Sequence, residues 1–274
     1  MTKAYFNGKI VSAKSIKINP YDIGILRGYG VFDVMCTQNN KPFLIKEHFD
    51  RLKNSAAALK LKLPFSEKKY QVIVGKLIKN GNFKKSIIRT ILTGGVSANA
   101  FSKGRPTCYI LIEKFLELPK RIYDEGAAVI THEFERHLPR AKVTNYVEAI
   151  RNQEIKEKNK ALEIIYIKNG IALEASTSNF FIVDKKGKLI TSKEGILLGT
   201  TRNLIVKLAV NKFKVEERSI LENELRGAKE VFLTATNKDV VPVVKIDGDK
   251  VGNGKVGEKT KVLMNLFNNF VNNY

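Results

Sequence analysis

Two neighbouring stretches carry most of the information in this chain: LEASTSNFFIV at residues 173–183 and ILLGTTRNLIVKLA at residues 196–209. In the first stretch, Glu174 stands at the head of a turn rich in serine and threonine that runs into an apolar strand. In the second, a Gly-Thr-Thr turn opens an amphipathic helix. The free N–H groups of this helix start, with the hydroxyls of Thr200 and Thr201, predict an anion site. Glu174 can place a carboxylate beside a buried positive charge.

A phosphorylated pyridinium would use both features at once. Pyridoxal 5'-phosphate is such a molecule, and it also needs a lysine with which to form an imine. The segment RAKVTNY at residues 140–146 offers Lys142. Because lysines are frequent throughout the chain, the residue type alone would not distinguish Lys142 from a surface lysine.

Lys142, Glu174 and the LLGTTR turn, in this order, resemble the fold-type IV (class IV) pyridoxal-phosphate enzymes. That family includes the D-amino-acid transaminases, the branched-chain aminotransferases, the R-selective amine transaminases and aminodeoxychorismate lyase. The likeness extends to RGYGVFD at 27–33, EHFDRLKNSA at 47–56 and LTATNKDVVPVVKIDG at 233–248, so it covers nearly the whole chain. Each motif is weak alone, whereas all of them in the same order are specific.

The resemblance implies an α+β protein of two domains with the D-amino-acid-aminotransferase-like fold. We expect a small N-terminal α/β domain at residues 1–118 and a larger, β-barrel-like C-terminal α/β domain at 126–274 that binds the cofactor. A linker is expected at 119–125, because strand-like runs stop there, charges cluster and Pro119 intervenes. The resemblance further implies a homodimer.

Local patterns predict several of the elements. Apolar spacing predicts helices at about 46–60, 66–80 and 146–158 and a terminal helix from about 258. Two β-hairpins are predicted, one turning at Asn169-Gly170 and one near Lys186-Gly187. The run PFLI at residues 42–45 is expected to be a strand.

Composition limits the class of protein. The 274 residues are 43% hydrophobic, which is enough for a substantial core. The net charge of +21 would suit a nucleic-acid or membrane surface. The lysines are scattered, however, and no basic block or aromatic RNA-binding signature occurs, so we expect solvated lysine-rich faces and no nucleic-acid partner.

Neither the membrane nor the secretory pathway is indicated. No apolar run approaches the roughly 20 residues that span a bilayer, and the N-terminal residues lack the apolar core of a signal peptide. Cys36 and Cys108 lie in apolar, strand-like runs and are expected to be buried free thiols of a reducing compartment. We therefore expect a cytoplasmic protein with no membrane partner and no metal site.

The resemblance also implies roles for single residues. Lys142 would bind the cofactor covalently and shuttle a proton, Glu174 would pair with the pyridine nitrogen, and Arg51 would hold the phosphate. Further cofactor contacts are expected from Tyr146, Ser178, Asn179, Leu198, Thr200, Thr201 and Thr236. The substrate side is expected to include Arg27, Tyr29, Phe32, Arg89, Thr177 and Ala235.

Arg27 and Arg89 bear on specificity. The position of Arg27 is aromatic in typical branched-chain enzymes and in Bacillus-type D-amino-acid transaminases, whereas many branched-chain enzymes share an arginine at Arg89. The Bacillus-type enzymes trap the substrate carboxylate with an arginine and a histidine, and this chain has Asn99 and Phe101 there. Either Arg27 and Arg89 replace that trap, or the enzyme is not D-specific. The structural alternative is a salt bridge to Asp33 or Glu47.

These observations favour a transaminase that moves an amino group between an amino acid and a 2-oxo acid, with 2-oxoglutarate/glutamate or pyruvate/alanine as partners. A D-amino-acid transaminase with a non-standard arginine carboxylate site leads. A branched-chain L-amino-acid aminotransferase is the first alternative and aminodeoxychorismate lyase the second. An alternative from another class is a basic nucleic-acid-binding protein that has an enzyme fold without the activity. The presence of Lys142, Glu174 and Arg51 together argues against it.

Overall fold

Two units make up the chain. The first contains the residues up to Leu116 with Ala141–Tyr146 and Tyr274, and the second contains Glu117–Arg140 and Val147–Asn273. The structure is a computed structural model that describes residues 2–274. Each unit combines helices with a sheet of its own, which confirms the predicted α+β class.

The first unit is built on one antiparallel sheet. Its elements are β1 (Lys3–Phe6), β2 (Lys9–Ser12), α1 (Ile23–Arg27), β3 (Gly30–Gln38), β4 (Lys41–Pro42), α2 (Ile45–Ala58), α3 (Glu67–Gly81), β5 (Ser86–Thr93) and β6 (Cys108–Lys114), with a short 3-10 turn at Ala13–Ser15. The strand order is β2-β1-β6-β5-β3-β4. Long β3 and β5 therefore lie side by side, and β3 carries several of the candidate site residues.

The two faces of β3 differ in what they contact. Side chains alternate along a strand, so Val31 and Met35 share one face, while Phe32 and Val34 share the other. Val31 and Met35 are buried in an apolar core with residues of α2 and α3, such as Leu52. Helix α2 therefore packs on the Val31 face and leaves the Phe32 face of the sheet for other contacts.

The second unit contains the longer sheet. Its elements are α4 (Lys120–Glu125), β7 (Ala127–Glu133), α5 (Val147–Arg151), α6 (Gln153–Lys158), β8 (Glu163–Lys168), β9 (Ile171–Ala175), β10 (Asn179–Val183), β11 (Leu189–Thr191), α7 (Thr200–Ala209), β12 (Val215–Glu217), β13 (Ile220–Leu221), α8 (Glu222–Arg226), β14 (Glu230–Ala235), β15 (Asp239–Ile246), β16 (Asp249–Lys250) and α9 (Glu258–Asn272). The strand order is β12-β11-β10-β14-β15-β7-β8-β9-β13, with β16 on β15.

Three strand ends meet at one edge of this sheet. Strand β10 is antiparallel to β14 with Asn179 opposite Thr234, and Ala235 faces Asp239 across the β14–β15 hairpin. Strand β9 ends at Ala175 opposite Ile165 of β8. The turn at 176–178, the turn at 235–239 and the start of β8 therefore lie near one another.

Both predicted hairpins are present. The β8–β9 turn has positive φ at Asn169 (50°) and Gly170 (73°), as a type I′ turn requires. The β10–β11 hairpin contains Gly187 at φ 81°. The predicted helices at 46–60 and 66–80 correspond to α2 and α3, and α9 begins at Glu258.

Other expectations differ from the structure. The predicted helix at 146–158 is two short helices, because Asn152, with φ −91° and ψ 8°, departs from helical geometry between them. The PFLI run contributes only Pro42 to a strand, because Leu44 adopts a left-handed conformation with φ 50°. Residues 120–125, where a linker was expected, form α4.

Residues 2–274 show neither a membrane-spanning helix nor a metal centre. No helix in this range is long and apolar enough to cross a membrane. No group of three or more histidine, cysteine, aspartate or glutamate side chains in this range is arranged to hold a metal ion.

Candidate active site

Lys142 is fixed through its backbone to the first unit. Its carbonyl accepts from Phe32 N at 2.9 Å and its N–H donates to Ser55 Oγ at 3.0 Å. Val143 forms an isolated β-bridge with Val31, and Thr144 N donates to the carbonyl of Gly30. The segment 141–146 thus follows β3 and belongs to the first unit, whereas the sequence analysis placed it in the C-terminal domain.

The Lys142 side chain points into an aromatic corner. Its Nζ lies 4.6 Å from the centre of the Phe32 ring and donates to Tyr146 Oη at 3.3 Å. Phe32 and Tyr146 meet edge to face at 5.5 Å between ring centres. Within residues 2–274, Lys142 has no carboxylate partner. This amine is therefore held by aromatic groups and one hydroxyl, a setting that suits a nucleophile better than a structural ion pair.

Arg51 is anchored on the helix side of β3. Its Nε and Nη2 donate to the two carboxylate oxygens of Asp33 at 2.7 and 3.0 Å, and His48 Nδ1 lies 2.6 Å from the same carboxylate. Burial alone would raise the pKa of Asp33, but Arg51 and His48 outweigh burial and hold that pKa far below its usual range. Burial lowers the pKa of His48, which favours the neutral imidazole. A buried, charged Asp33 therefore orients the Arg51 guanidinium.

The two candidate substrate arginines have different surroundings. Arg89 lies opposite Val34, on the sheet face that carries Phe32, and its Nε donates to Glu113 at 3.1 Å in a half-exposed pair. Arg27 is exposed, and its guanidinium lies 4.9 Å from the centre of the Phe101 ring. Neither arginine pairs with Asp33 or Glu47, so the salt bridges considered for them are wrong.

Tyr29 directly precedes β3. Its hydroxyl donates to the carbonyl of Leu59 at 2.5 Å, and its ring packs against the core of the first unit. The hydroxyl of Tyr29 is thus used within the fold, and a substrate contact of its ring stays a prediction.

Glu174 is buried in the second unit beside an arginine that the sequence analysis missed. Arg136 donates through Nε at 2.7 Å and through Nη2 to the same carboxylate oxygen of Glu174, while Leu197 N donates to the other oxygen at 3.1 Å. Glu174 is only 5% exposed. The charge of Arg136 therefore balances that of Glu174, and donors to both oxygens fix the orientation of the carboxylate.

Asn179 shapes the Gly-Thr-Thr turn. Its Nδ2 donates to the Leu197 carbonyl at 2.8 Å and its Oδ1 accepts from Gly199 N at 3.1 Å. A Cβ at Gly199 would collide with Asn179 Oδ1, so any other residue there would displace the Asn179 side chain that shapes the turn. Gly199 is the N-cap of α7 and makes no side-chain cap bond, while Thr200 and Thr201 are buried in the first turn. This helix start has the form of an anion site.

The hydroxyl groups of the 176–178 turn face a second buried carboxylate. Ser176, Thr177 and Ser178 all donate to Glu163, the first residue of β8. The hydroxyl groups of Thr177 and Ser178 thus use their hydrogen atoms on Glu163. The roles expected for Thr177 at the substrate and for Ser178 at the cofactor stay predictions. Ala235 is the last residue of β14 and Thr236 follows it, whereas Leu198 lies in the turn before α7.

Three residues that hold these groups were absent from the sequence predictions: Arg136, Glu163, and Lys238, whose Nζ lies 2.9 Å from the carboxylate of Glu163. Arg136 and Lys238 are single cations among many in a basic chain. Glu163 left a usable signal, because it is the lone acid at the head of the apolar run EIIYI, and a buried acid there must have a partner.

Comparison with known proteins identifies the family. A model of the family described as amino-transferase class IV matches residues 30–246. The chain belongs to the class IV aminotransferases. D-alanine aminotransferase of Staphylococcus haemolyticus is 30% identical over 99% of this chain and 98% of its own length. A Methanocaldococcus jannaschii protein whose name assigns it to the branched-chain-amino-acid aminotransferases is 31% identical over 97% of this chain and 95% of its own.

A solved structure supports the fold of this class IV aminotransferase. The branched-chain aminotransferase of Escherichia coli superposes with a TM-score of 0.90 at 24% identity, covering 98% of this chain and 94% of that one. The likeness confirms the predicted two-domain fold-type IV architecture. Class IV aminotransferases use pyridoxal 5'-phosphate.

The residues present fit this cofactor. Lys142 is an amine without an acidic partner in the described residues, Glu174 is an oriented buried carboxylate, and the glycine-capped start of α7 offers backbone N–H groups to a phosphate. Arg51 is a guanidinium held by Asp33. Each group is chemically suited to one part of a phosphorylated pyridine aldehyde.

Proposed function

We propose that this class IV aminotransferase transfers an amino group between a D-amino acid and a 2-oxo acid. Arg27 and Arg89 would serve as its carboxylate-binding groups. The observation that carries the proposal is the position of Arg89 on the Phe32 face of the sheet of the first unit. Phe32 faces Ile91, two residues from Arg89, and such diagonal neighbours lie roughly 7–8 Å apart.

The pairing of Arg89 leaves it able to bind a substrate carboxylate. Its partner Glu113 contacts Nε, and the two side chains are 39% and 43% exposed. Exposed pairs of this kind contribute about 0–1 kcal/mol, so exchange for a substrate carboxylate costs little. A guanidinium can then bind that carboxylate through two N–H groups.

Arg27 is the second cation available for this purpose. It has no acidic partner among residues 2–274, and its contacts are its neighbour's carbonyl and the ring of Phe101. In Bacillus-type D-amino-acid transaminases, the arginine and histidine that trap the substrate carboxylate lie in the loop that contains Asn99 and Phe101 in this chain. Arg27 and Arg89 together would compensate for the loss of that trap.

The remaining roles follow from the family resemblance. Pyridoxal phosphate, when bound, supplies an electron sink that acidifies the Cα–H bond of an amino acid. Lys142 Nζ would take up and return the proton at Cα, and Tyr146 would orient that amine. Glu174, held by Arg136, would present its carboxylate to the ring nitrogen. Arg51 and the start of α7 would bind the phosphate.

The test is a pair of half-reactions. The purified protein is loaded with pyridoxal phosphate, and its visible absorption band is recorded while D-glutamate or L-glutamate is added. Bleaching by D-glutamate alone is the expected result. Bleaching by L-glutamate alone would overturn D-specificity, and a band that neither enantiomer bleaches would point to aminodeoxychorismate lyase or an amine-specific enzyme.

A branched-chain L-amino-acid aminotransferase is the second candidate. It is favoured by the absence of the Bacillus-type trap, since Phe101 is 80% exposed and offers no polar group. The relative from Methanocaldococcus jannaschii also supports it. This activity would be identified if L-leucine bleached the visible absorption band of the cofactor and D-glutamate did not. For either activity we propose a homodimer, as the resemblance implies, which sedimentation equilibrium would test.

A further inference from the structure

A buried ion pair in the second unit lies between two turns that carry predicted cofactor and substrate contacts, one at 176–178 and one at 235–238. Glu163 is 1% exposed and Lys238 is 7% exposed, and their charged atoms lie 2.9 Å apart. Glu163 begins β8, whereas Lys238 belongs to the turn that connects β14 to β15. Neither residue has a role in the proposed reaction.

The carboxylate of Glu163 is the centre of a dense set of donors. It accepts from the hydroxyls of Ser176, Thr177 and Ser178, from Thr177 N at 3.2 Å, and from Lys238. Burying a lone carboxylate is strongly unfavourable, and it is this number of donors that allows Glu163 to stay charged in the interior. The whole 176–178 turn is therefore bound to one oxygen pair.

Lys238 extends this set to the second turn. Its Nζ donates to Thr177 Oγ1 at 2.8 Å, and the Thr177 hydroxyl in turn donates a hydrogen bond to Glu163. The backbone of Lys238 is fixed as well, because its N–H donates to Ala235 O at 3.2 Å and its carbonyl accepts from Tyr123 Oη at 3.2 Å. A displacement of either turn would break a buried, charge-assisted contact.

We propose that Glu163 and Lys238 are positioning residues that lock the 176–178 turn to the 235–238 turn. The lock would fix Ser178 and Thr236 for the cofactor and Thr177 and Ala235 for the substrate. This inference rests on the proposed function, because only a bound cofactor gives the spacing of the two turns a catalytic consequence. Neither Glu163 nor Lys238 contacts the reacting atoms in this account.

The test separates positioning from stability. Glu163→Gln, Lys238→Met and the double variant are prepared as apoenzymes, and their thermal midpoints and dissociation constants for pyridoxal phosphate are measured by spectroscopic titration. Each single variant leaves an unpaired buried charge or donor and is expected to lose stability, which the double variant partly regains. Cofactor affinity is expected to fall about tenfold or more in all three, the double included, because the turns stay unlinked.

Two milder variants test the same contacts if the first set fails to fold. Lys238→Arg keeps the charge and is expected to keep cofactor affinity within about threefold of wild type. Ser176→Ala removes one donor to Glu163 and is expected to weaken the cofactor by about threefold, the size of one lost hydrogen bond. The control is Lys188→Met, which removes the 2.7 Å pair with Glu216 at the far end of β10 and should leave cofactor affinity unchanged.

The outcomes distinguish the two proposals. If wild type binds the cofactor and the double variant, stable again, binds it equally well, Glu163 and Lys238 are structural only and the inference is overturned. The inference would also be overturned if the two single variants Ser176→Ala and Lys238→Met each bound pyridoxal phosphate as tightly as wild type. If wild type itself gives no cofactor spectrum, the proposed function falls, and the positioning role falls with it.

Discussion

Lys142 Nζ donates to Tyr146 Oη at 3.3 Å, and both groups border the ring of Phe32. The four-residue spacing keeps the lysine and the tyrosine on one short segment, which a β-bridge ties to β3. The amine is thus held by its own segment and by a strand more than a hundred residues away.

Tyr146→Phe should slow catalysis without releasing the cofactor. The change removes one hydrogen bond to the amine, worth about 1 kcal/mol, so we expect kcat to fall roughly fivefold. The dissociation constant of pyridoxal phosphate should change by less than about twofold. Stopped-flow half-reactions with D-glutamate measure the first quantity, and Tyr21→Phe, at an exposed tyrosine, is the control. An unchanged rate would show that the hydroxyl does not orient Lys142.

Arg51→Gln should weaken cofactor binding. If the guanidinium binds the phosphate, its loss removes a charge-assisted contact of about 1.5–3 kcal/mol, or roughly 10- to 100-fold in affinity. Equilibrium titration of the apoenzyme with pyridoxal phosphate measures this. Lys53→Gln, at an exposed position on the same helix, is the matched control. Equal affinity in both variants would leave Arg51 as a structural partner of Asp33.

Arg89→Ala should impair dicarboxylate substrates. The loss of a charge-assisted bond is expected to lower kcat/KM for D-glutamate by about 10- to 100-fold. Arg27→Ala should act in the same direction, whereas exposed Arg121→Ala in α4 should have no effect. Steady-state assays with D-glutamate and D-alanine separate a distal from an α-carboxylate role, because a distal contact affects only D-glutamate. Unchanged constants in both Arg89→Ala and Arg27→Ala would contradict the carboxylate assignment.

Glu163 should give the protein an acid-sensitive stability component. Burial by itself raises the pKa of Glu163, but Lys238 and the turn hydroxyls outweigh burial and lower that pKa to about 2. In the unfolded chain a glutamate titrates near about 4.3. Because the folded pKa is the lower one, the stabilisation is present above the unfolded value and is lost as the pH falls toward about 2.

Urea denaturation of wild type and Glu163→Gln measures this component. The difference in free energy of unfolding between the two proteins should be largest near neutral pH and should shrink as the pH drops below about 4. A difference that stays constant over that range would mean that the carboxylate of Glu163 is not preferentially ionised in the folded state.

The sequence predicted what local chemistry and motif order determine. The Asn169-Gly170 hairpin was predictable because two consecutive residues with positive φ suit this pair. Helices α2 and α3 were predictable from apolar spacing. The class IV family followed from the order of Lys142, Glu174 and the Gly-Thr-Thr turn.

Partners distant in the chain were not predictable. Arg136 and Glu174 are 38 residues apart, and nothing local marks this arginine among the other cations. The grouping of Lys142 with the first unit depends on the bridge between Val31 and Val143, which only the folded chain forms. The break at Asn152 lies where its backbone departs from helical geometry, with φ −91° and ψ 8°, which apolar spacing does not reveal.

The most direct measurement is chemical mapping of the lysine that carries the cofactor. The holoenzyme is reduced with borohydride, digested, and its labelled peptide is sequenced by mass spectrometry, with Lys142→Ala as the control. A pyridoxyl label on Lys142, absent from Lys142→Ala, is the predicted result. A label on another lysine, or an unlabelled protein that nevertheless transaminates, would contradict the assignment of Lys142 and with it the proposed site.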